Sequence, residues 1–521
     1  PRLAGLLRPE AYPHPVDSIE IHETHGAWVI LAGTYAYKLK KPVDLGFFDF
    51  STFEKRAADA EAELRLNRRL APATYLDVVD VVEQDGAARI GGEGPVLERA
   101  VLMRRLPAEQ MLPALLARDA VSSHLIRRLA RLIARFHAEA PTGPGVNEHG
   151  ARPTIEANWA ENFAQIAPYA NVTIPTWELE LIQRWVQHRL AVDAELFDRR
   201  VAEGCVRDGH GDLHAASVCI AGGELIVFDC IEFSARYRCA DVAAEVAFMA
   251  MDLDHSARPD LSWTFVEEYV QVTGDQELRT LLDFYKCYRA FVRGKVLSFR
   301  LRESGLPPAE RDAITAEARA YFDLATIYAG GFPHPLLLVT SGLPASGKTT
   351  LATALAQRLG LRHISTDVVR KRAAGLHPTE RAGTDVGQGI YGPEVTVATY
   401  HTLRRQAELW LRRGVSVVLD GTFNTADQRH RVRILANDLG ARFLLIRTEC
   451  DETTTRERLA RRERDASRVS DASWEVYKQM HTTFEPVIFD KLPPEEIVED
   501  PTGGAGIETV LNRLANRPGD A

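Results

Sequence analysis

Two groups of residues in this 521-residue chain have the types and spacing needed to handle phosphate. Gly342-Leu343-Pro344-Ala345-Ser346-Gly347-Lys348-Thr349 fits the phosphate-loop pattern G-x-x-x-x-G-K-[ST] at every fixed position. Gly342 and Gly347 let the backbone curl, so that N–H groups from Ala345 and Ser346 through Thr350 face phosphate oxygens. A helix starting behind them adds its positive end. Lys348 would reach the β- and γ-phosphates, and the Thr349 hydroxyl would hold Mg²⁺. Far upstream, His210-Gly211-Asp212-Leu213-His214 is followed by Ser217 and Asp229. Asp212 would accept the proton of an attacking hydroxyl, and Asp229 would hold Mg²⁺ against the phosphates. Ser217 stands where the spacing H-x-D-L-x-x-x-N puts an asparagine metal ligand, and it offers a shorter, weaker oxygen.

Other side chains extend each group. Val417-Val418-Leu419-Asp420 reads as an apolar strand ending in an acid that supports Mg²⁺; an ordinary strand-end Asp is the plainer reading. Ser365-Thr366-Asp367, with Arg370 one helical turn later, could supply an acid to take the acceptor's proton and an arginine to orient a substrate anion. The same three residues are good helix N-caps, and spacing alone leaves both readings open. Arg456, Arg458, Arg461, Arg462 and Arg464 share one predicted helical stretch. They are either a solvated face or a lid over the nucleotide, with Arg456 and Arg461 as contacts. In the first half, Lys38 would pair with ATP phosphates and be held by Glu63 on the next helix. Glu61 competes for that role, and Lys40 and Lys41 crowd the assignment.

These residues need elements to place them. Apolar and β-branched runs predict strands within 18–45, divided by Gly33, then a helix over 52–70 ended by Pro72, and strands at 76–82 and 96–103. Beyond Leu106-Pro107 the character turns helical. Leu125, Leu129, Leu132, Ile133 and Phe136 recur at the spacing of one buried face, and 177–196 and 278–299 read as further helices. A strand-and-loop stretch at 206–233 lies between these last two. The Gly-rich segment 329–335 reads as a linker. After it, strand, loop, helix, strand and helix alternate as in a parallel α/β domain, with a strand at 336–340, a helix at 350–359 closed by Gly360, and a buried strand at 415–419.

Residues 336–500 resemble the small P-loop kinases of the polynucleotide-kinase, gluconate-kinase and zeta-toxin type. The phosphate loop, Ser365-Thr366-Asp367-x-x-Arg370, Leu419-Asp420-Gly421-Thr422-Phe423 and the arginine cluster carry the likeness, joined by Ser470-Asp471-Ala472 and Gln479. It implies that Asp367 is the general base. Residues 1–330 resemble the aminoglycoside-phosphotransferase-like family, kinases of small molecules with a two-lobed fold. The carriers are Tyr37-Lys38-Leu39-Lys40-Lys41-Pro42-Val43, the stretch from Glu63 to Pro72, Met103-Arg104-Arg105-Leu106-Pro107, His210 to His214, and the run from Phe228 to Phe233. This likeness adds Met103 to the nucleotide contacts, though no G-x-G-x-x-G loop precedes Lys38. The whole chain is similar to a bacterial family that fuses the two domains. No aminoglycoside acceptor is implied, because the family covers many acceptors. The acceptor pocket is expected after residue 235, where Arg236, Arg238 and Asp241 serve either it or structural salt bridges.

The fold expected is therefore α/β and α+β in two domains. Residues 1–330 form a two-lobed kinase-like domain, with a small lobe over about 1–106 and a large lobe over about 107–330, and residues 331–521 form the P-loop domain. A hydrophobic content of 45% with 26% charged residues is ordinary for a globular protein. The net charge of -9 argues against a broad nucleic-acid or anionic-membrane surface. Six scattered cysteines without a C-x-x-C pair fit a reducing compartment, and no apolar run is long enough to span a membrane. The start is too short an apolar stretch for a signal peptide and, lacking Met, reads as trimmed. The expectation is a cytoplasmic ATP- and Mg²⁺-dependent phosphotransferase with two nucleotide sites and small-molecule acceptors. The alternative is one live P-loop kinase, for a small molecule or a nucleic-acid 5′-hydroxyl, controlled by a non-catalytic first domain.

Overall fold

An alternating run, a continuous apolar run and a second alternating run pair into three antiparallel strands, β1 (Ile19–Glu23), β2 (Ala27–Ala32) and β3 (Tyr35–Lys40). The computed structural model describes residues 3–44, 46, 48–303, 305–332, 334–380, 389–462, 472–487, 492–500 and 506–515. The turn between β2 and β3 needs Gly33, whose φ of +58° is left-handed. Strands β4 (Tyr75–Gln84), β5 (Ala87–Ile90) and β6 (Val96–Arg104) complete a six-stranded sheet in the order β1-β2-β3-β6-β4-β5. The short β5 is a strand the sequence pattern did not announce. Helix Phe53–Asn67 starts where the Thr52 hydroxyl accepts the Lys55 N–H at 3.3 Å. It packs Ala60 and Leu64 against Tyr75, Val101 and Met103 of the sheet. The helix stops at Asn67, before the expected 70; the Asn67 side-chain amide donates to the Glu63 carbonyl at 3.0 Å and its oxygen accepts the Cys230 N–H at 2.8 Å.

Helix Ser123–Glu139 is capped by Ser122 and buries Ile126, Leu129, Ile133 and Phe136. Leu125 and Leu132 flank that face. The stretch expected as one helix over 177–196 is two, Thr176–Val192 and Ala194–Ala202, broken at Asp193. Four short strands frame the catalytic loop: β7 (Val206–Asp208), β8 (Val218–Ala221), β9 (Glu224–Val227) and β10 (Cys239–Asp241), with β7 paired to β10 and β8 to β9.

The apolar run at 336–341 becomes β11 (Leu336–Ser341), buried along its whole length. Strands β12 (Arg362–Ser365), β13 (Val417–Asp420), β14 (Arg442–Thr448) and β15 (Ile497–Asp500) join it in an all-parallel sheet of order β12-β13-β11-β14-β15. Parallel strands are buried on both faces, and two apolar layers do this here. On one face Leu351, Leu355 and Leu359 of helix Lys348–Leu359 pack on Leu338, Val418 and Leu444; on the other, Leu403 and Leu411 of helix Pro393–Leu411 pack on Val417 and Leu445.

The chain forms two compact units. One comprises Pro1–Glu161, His188–Asp252 and Thr264–Tyr285 and holds strands β1 to β10; the other comprises Asn162–Gln187, Leu253–Trp263 and Lys286–Ala521 and holds β11 to β15. Helix Pro308–Tyr328 belongs to the second unit, where Ile327 packs on the parallel-sheet core and Asp323 meets Arg358 at 2.5 Å. The Gly-rich segment 329–335 lies inside this unit. No helix among the described residues is long and apolar enough to cross a membrane.

Candidate functional site

In the second unit β11 delivers the chain into the phosphate loop. Ala345 and Gly347 have φ of +64° and +104°, and a Cβ at Gly342 would meet the Thr448 carbonyl at 2.3 Å. Gly347 is the N-cap of helix Lys348–Leu359, with no side chain bonded to the cap. The first N–H groups of that helix, which no turn of helix satisfies, therefore face the loop. Lys348 Nζ folds back onto the Leu343 carbonyl at 2.6 Å. Ser346 Oγ lies 2.6 Å from Thr448 Oγ1.

Asp420 ends β13 beside this loop. It accepts the Thr349 hydroxyl at 2.8 Å and the Thr340 hydroxyl at 3.4 Å, with His363 Nε2 at 3.4 Å. Burial pushes the Asp420 pKa up, but the nearby His363, with Lys348 and the Thr349 hydroxyl, outweighs it and holds the carboxyl below its usual range. A hydroxyl and a carboxylate oxygen side by side are hard donors that fit Mg²⁺.

A cavity of about 530 Å³ runs from Lys348 and Thr349 past Asp420 to Asp367, Arg370 and Gln479. Ser365 occupies the N-cap of helix Thr366–Ala373 but makes no side-chain cap bond, and Asp367 sits in its first turn. Arg370 is 8% exposed, lies 4.8 Å over the Tyr391 ring and 3.9 Å from Asp367, and its Nε has no hydrogen-bond partner among the described residues. Asn424 Oδ1, also lining the cavity, lacks one too. Of the arginine cluster, Arg458 reaches the loop, donating to the Ala345 carbonyl at 3.2 Å. Arg456 lies over Trp474 at 4.3 Å and Arg461 is exposed. Arg464, Ser470, Asp471 and the Arg462 side chain fall outside the described residues; Ala472 and Gln479 line the cavity.

In the first unit Lys38, pointing from β3, lies 2.7 Å from Glu63 and 2.8 Å from Asp229. Glu61 instead pairs with Arg99 at 2.9 Å, so Glu63 is the acid that meets the lysine. Burial would lower the Lys38 pKa, but Asp229 and Glu63 raise it well above the usual lysine value. Asp229 has a strained φ of +64°, and its carboxyl is held below the usual range, chiefly by Lys38. Asp212 is close enough to push that pKa the other way. The Asp229 side chain is half-exposed, leaving carboxylate oxygen that fits a divalent cation. Lys40, on the same strand, is buried among Asp59, Glu63 and Glu232. Met103 sits near the end of β6 in the core beneath.

The catalytic loop is held from below. His210 Nδ1 accepts the Asp212 N–H at 3.3 Å, which leaves Nε2 to donate to the Phe228 carbonyl at 3.0 Å. Burial lowers the His210 pKa, in keeping with a neutral ring. The Glu245 carboxylate accepts the N–H groups of His210 and Gly211 and meets His137 Nε2 at 2.7 Å, while His137 Nδ1 lies 2.8 Å from Tyr269 Oη. Burial would raise the Glu245 pKa, but its His137 and backbone bonds bring it down to about 2. A Cβ at Gly209 would meet that carboxylate at 2.4 Å, which explains the glycine before His210. Ser217 is 3% exposed; its hydroxyl donates to the His214 carbonyl at 2.7 Å and accepts the His214 N–H at 3.1 Å. Arg238 pairs with Asp208 at 2.7 Å, Asp241 with Arg200 at 2.6 Å and Arg236 with Glu161 at 2.6 Å, so all three make salt bridges.

Sequence reasoning missed Glu245, His137, the ring of acids around Lys40, and Asn424. No spacing ties Glu245 to residues far earlier in the chain; only the glycine before the histidine hinted at a close neighbour.

Both sites belong to one class. Residues 45–285 match the model of the phosphotransferase enzyme family, and residues 337–487 match an AAA domain model. With the six-stranded sheet and catalytic loop in one half and the parallel P-loop sheet in the other, the chain is a phosphotransferase-class enzyme that joins a domain of the phosphotransferase enzyme family to an AAA domain. It is 34% identical over 466 residues to an uncharacterized protein of Mycobacterium tuberculosis, covering 89% of this chain and 90% of that one, and equally to one of Mycobacterium bovis. The chain belongs to the family of these mycobacterial proteins. Among solved structures it is similar to a choline/ethanolamine kinase family protein from Mesorhizobium loti, at 12% identity over 61% of this chain and 93% of that one, TM-score 0.38. It is also similar to a gluconokinase from Sinorhizobium meliloti, at 18% identity over 35% of this chain and 91% of that one, TM-score 0.25.

Proposed function

We propose that the chain is a bifunctional ATP-dependent phosphotransferase, moving the γ-phosphoryl group of ATP to hydroxyl groups of small molecules at two sites. The observation that supports the P-loop half of this reading is the cavity of about 530 Å³ that joins Lys348, Thr349 and Asp420 to Asp367 and Arg370. In that half the acceptor hydroxyl gives its proton to Asp367 as its oxygen bonds the γ-phosphorus, and the bond from that phosphorus to the ADP oxygen breaks. Lys348 and the loop N–H groups hold the phosphates. Arg370, buried and with an Nε that lacks a partner among the described residues, takes a polar or anionic acceptor group. Arg458 braces the loop more directly than Arg456 or Arg461. In the first half Lys38, set by Glu63, grips the phosphates while Asp212 takes the acceptor's proton. Mg²⁺, when bound through Thr349 and Asp420 or through Asp229, neutralises charge on the transferring group. The first activity uses residues up to Asp229 and the second residues from Gly342 onward, and the enzyme works in the cytoplasm.

Labelled-phosphate transfer from ATP across a metabolite panel tests this. Lys348→Ala should remove one set of products and Asp212→Asn another. A second reading, a regulatory first domain, is favoured by Ser217, whose hydroxyl is already used twice on the His214 backbone. It prevails if Asp212→Asn changes no product while Lys348→Ala removes all of them. A nucleic-acid acceptor is disfavoured because Lys348 and Arg370 are the only cationic side chains lining the cavity among the described residues. A labelled 5′-hydroxyl oligonucleotide whose binding weakened steeply with salt would reverse that.

A further inference from the structure

We propose that Lys40 is a positioning residue of the first site: through Glu63 and Glu232 it sets how Asp229 is presented to Mg²⁺. The inference rests on the reading of that site as a nucleotide site.

Lys38 and Lys40 are two residues apart on β3 and so point to the same face of the sheet. They divide Glu63 between them, Oε1 lying 2.7 Å from Lys38 and Oε2 2.8 Å from Lys40. They also divide the metal loop, Lys38 holding Asp229 at 2.8 Å and Lys40 pairing with Glu232 three residues on. Lys40 has a third acid, Asp59, at 2.8 Å and stands 5.2 Å over the Phe50 ring. Strand, helix and loop are thus fastened at two points rather than one.

The lysines differ in access. The Lys38 side chain is 15% exposed and Lys40 3%. Only Lys38 can turn to a phosphate, and when it does Asp229 is freed for metal. Lys40 is then the cation that stays on Glu63 and Glu232 and keeps the loop in place. The carboxylates of Asp59, Glu63 and Glu232 lie within 4.8 Å of one another, a spacing that could hold an ion, but the Lys40 ammonium occupies it. Without that ammonium three acids would face each other in a buried space. They would separate or take up protons, and the loop 229–232 would lose its second fastening.

The test uses the full chain carrying Lys348→Ala, which silences the P-loop site, with ATP titrated by calorimetry with Mg²⁺ and with EDTA. The readout is the gain in affinity that Mg²⁺ provides. Lys40→Met is expected to cut this gain about tenfold, as loss of a supporting partner of a metal ligand does. Glu232→Gln should act in the same direction, and Lys40→Arg should keep part of the gain. Melting temperatures are taken in parallel. A lowered melting temperature with the Mg²⁺ gain unchanged would overturn the proposal and leave Lys40 a structural ion pair. Should Lys40→Met not fold, Glu232→Gln decides: a gain equal to the parent's overturns it. A parent that binds no nucleotide refutes the nucleotide-site reading itself, a result distinct from an unchanged gain.

Discussion

The two candidate sites solve one problem by opposite routes. The P-loop site draws its phosphate cradle from eight consecutive residues, 342–349, with Asp420 as the main addition from elsewhere. The first site gathers Lys38, Glu63, Asp212 and Asp229 from four separate segments and holds them with buried ion pairs and the Glu245 carboxylate. One is fixed by backbone conformation, the other by side-chain electrostatics. A site of the second kind depends on every element that packs beneath it, so damage far from the chemistry should reach it.

The largest effect that would sharpen this contrast is at the P-loop. Lys348→Ala should cut transfer at that site about 10³-fold, as loss of a preorganised charge contact does, with the fold unchanged by circular dichroism. Asp367→Asn should lower kcat there by about 10² to 10⁴ while ATP affinity, read by equilibrium binding, stays the same. A parallel fall in ATP affinity would remove Asp367 from the base role. In the first unit, Glu245→Ala should destabilise by roughly 3–5 kcal/mol, because it strands His137 and two backbone N–H groups. Hydrogen exchange at peptides spanning 209–213 should rise, while the P-loop peptides stay protected; equal loosening of both would break the comparison.

The response to pH should have an identifiable source in each unit. The Glu245 pKa is about 2, below the ordinary 4.5, so its contribution is present above pH 4.5 and is lost as pH falls toward 2, about 3 kcal/mol in all. In the second unit burial and the neighbouring Asp323 raise the Glu178 pKa, so this group costs stability as pH rises above its ordinary range. Glu178→Gln should therefore raise the melting temperature more at pH 8 than at pH 4. The smallest effect expected is Arg458→Ala, a several-fold weakening of ATP binding at the P-loop, with Arg461→Ala near neutral. The reverse order would return the lid to the exposed arginines.

What could be read along the chain differs between the sites for the same reason. Gly342, Gly347, Lys348 and Thr349 declare themselves because their spacing is their geometry. The choice of Glu63 over Glu61 could not be made, since the two lie two positions apart on one helix and only packing buries Glu63 against Lys38 while leaving Glu61 exposed beside Arg99. Arg458 hid among five arginines for a like reason. Ser217 was legible as a departure from the expected asparagine, but not that its hydroxyl is used on the His214 backbone. β5 and the break at Asp193 escaped notice because both depend on neighbours rather than on periodicity.

By itself the sequence determined that the chain carries two phosphate-handling motifs, an α/β half with a parallel sheet, and a helix-rich half with a catalytic loop. These follow from short-range spacing and from hydrophobic period, which backbone geometry turns directly into structure. Only the tertiary structure decided which acid meets Lys38, that Lys40 is buried among three carboxylates, that Glu245 supports the catalytic loop, and that helix Pro308–Tyr328 packs on the P-loop core. Those are contacts between residues distant along the chain, and their partners are chosen by burial and charge in three dimensions, which no local pattern encodes.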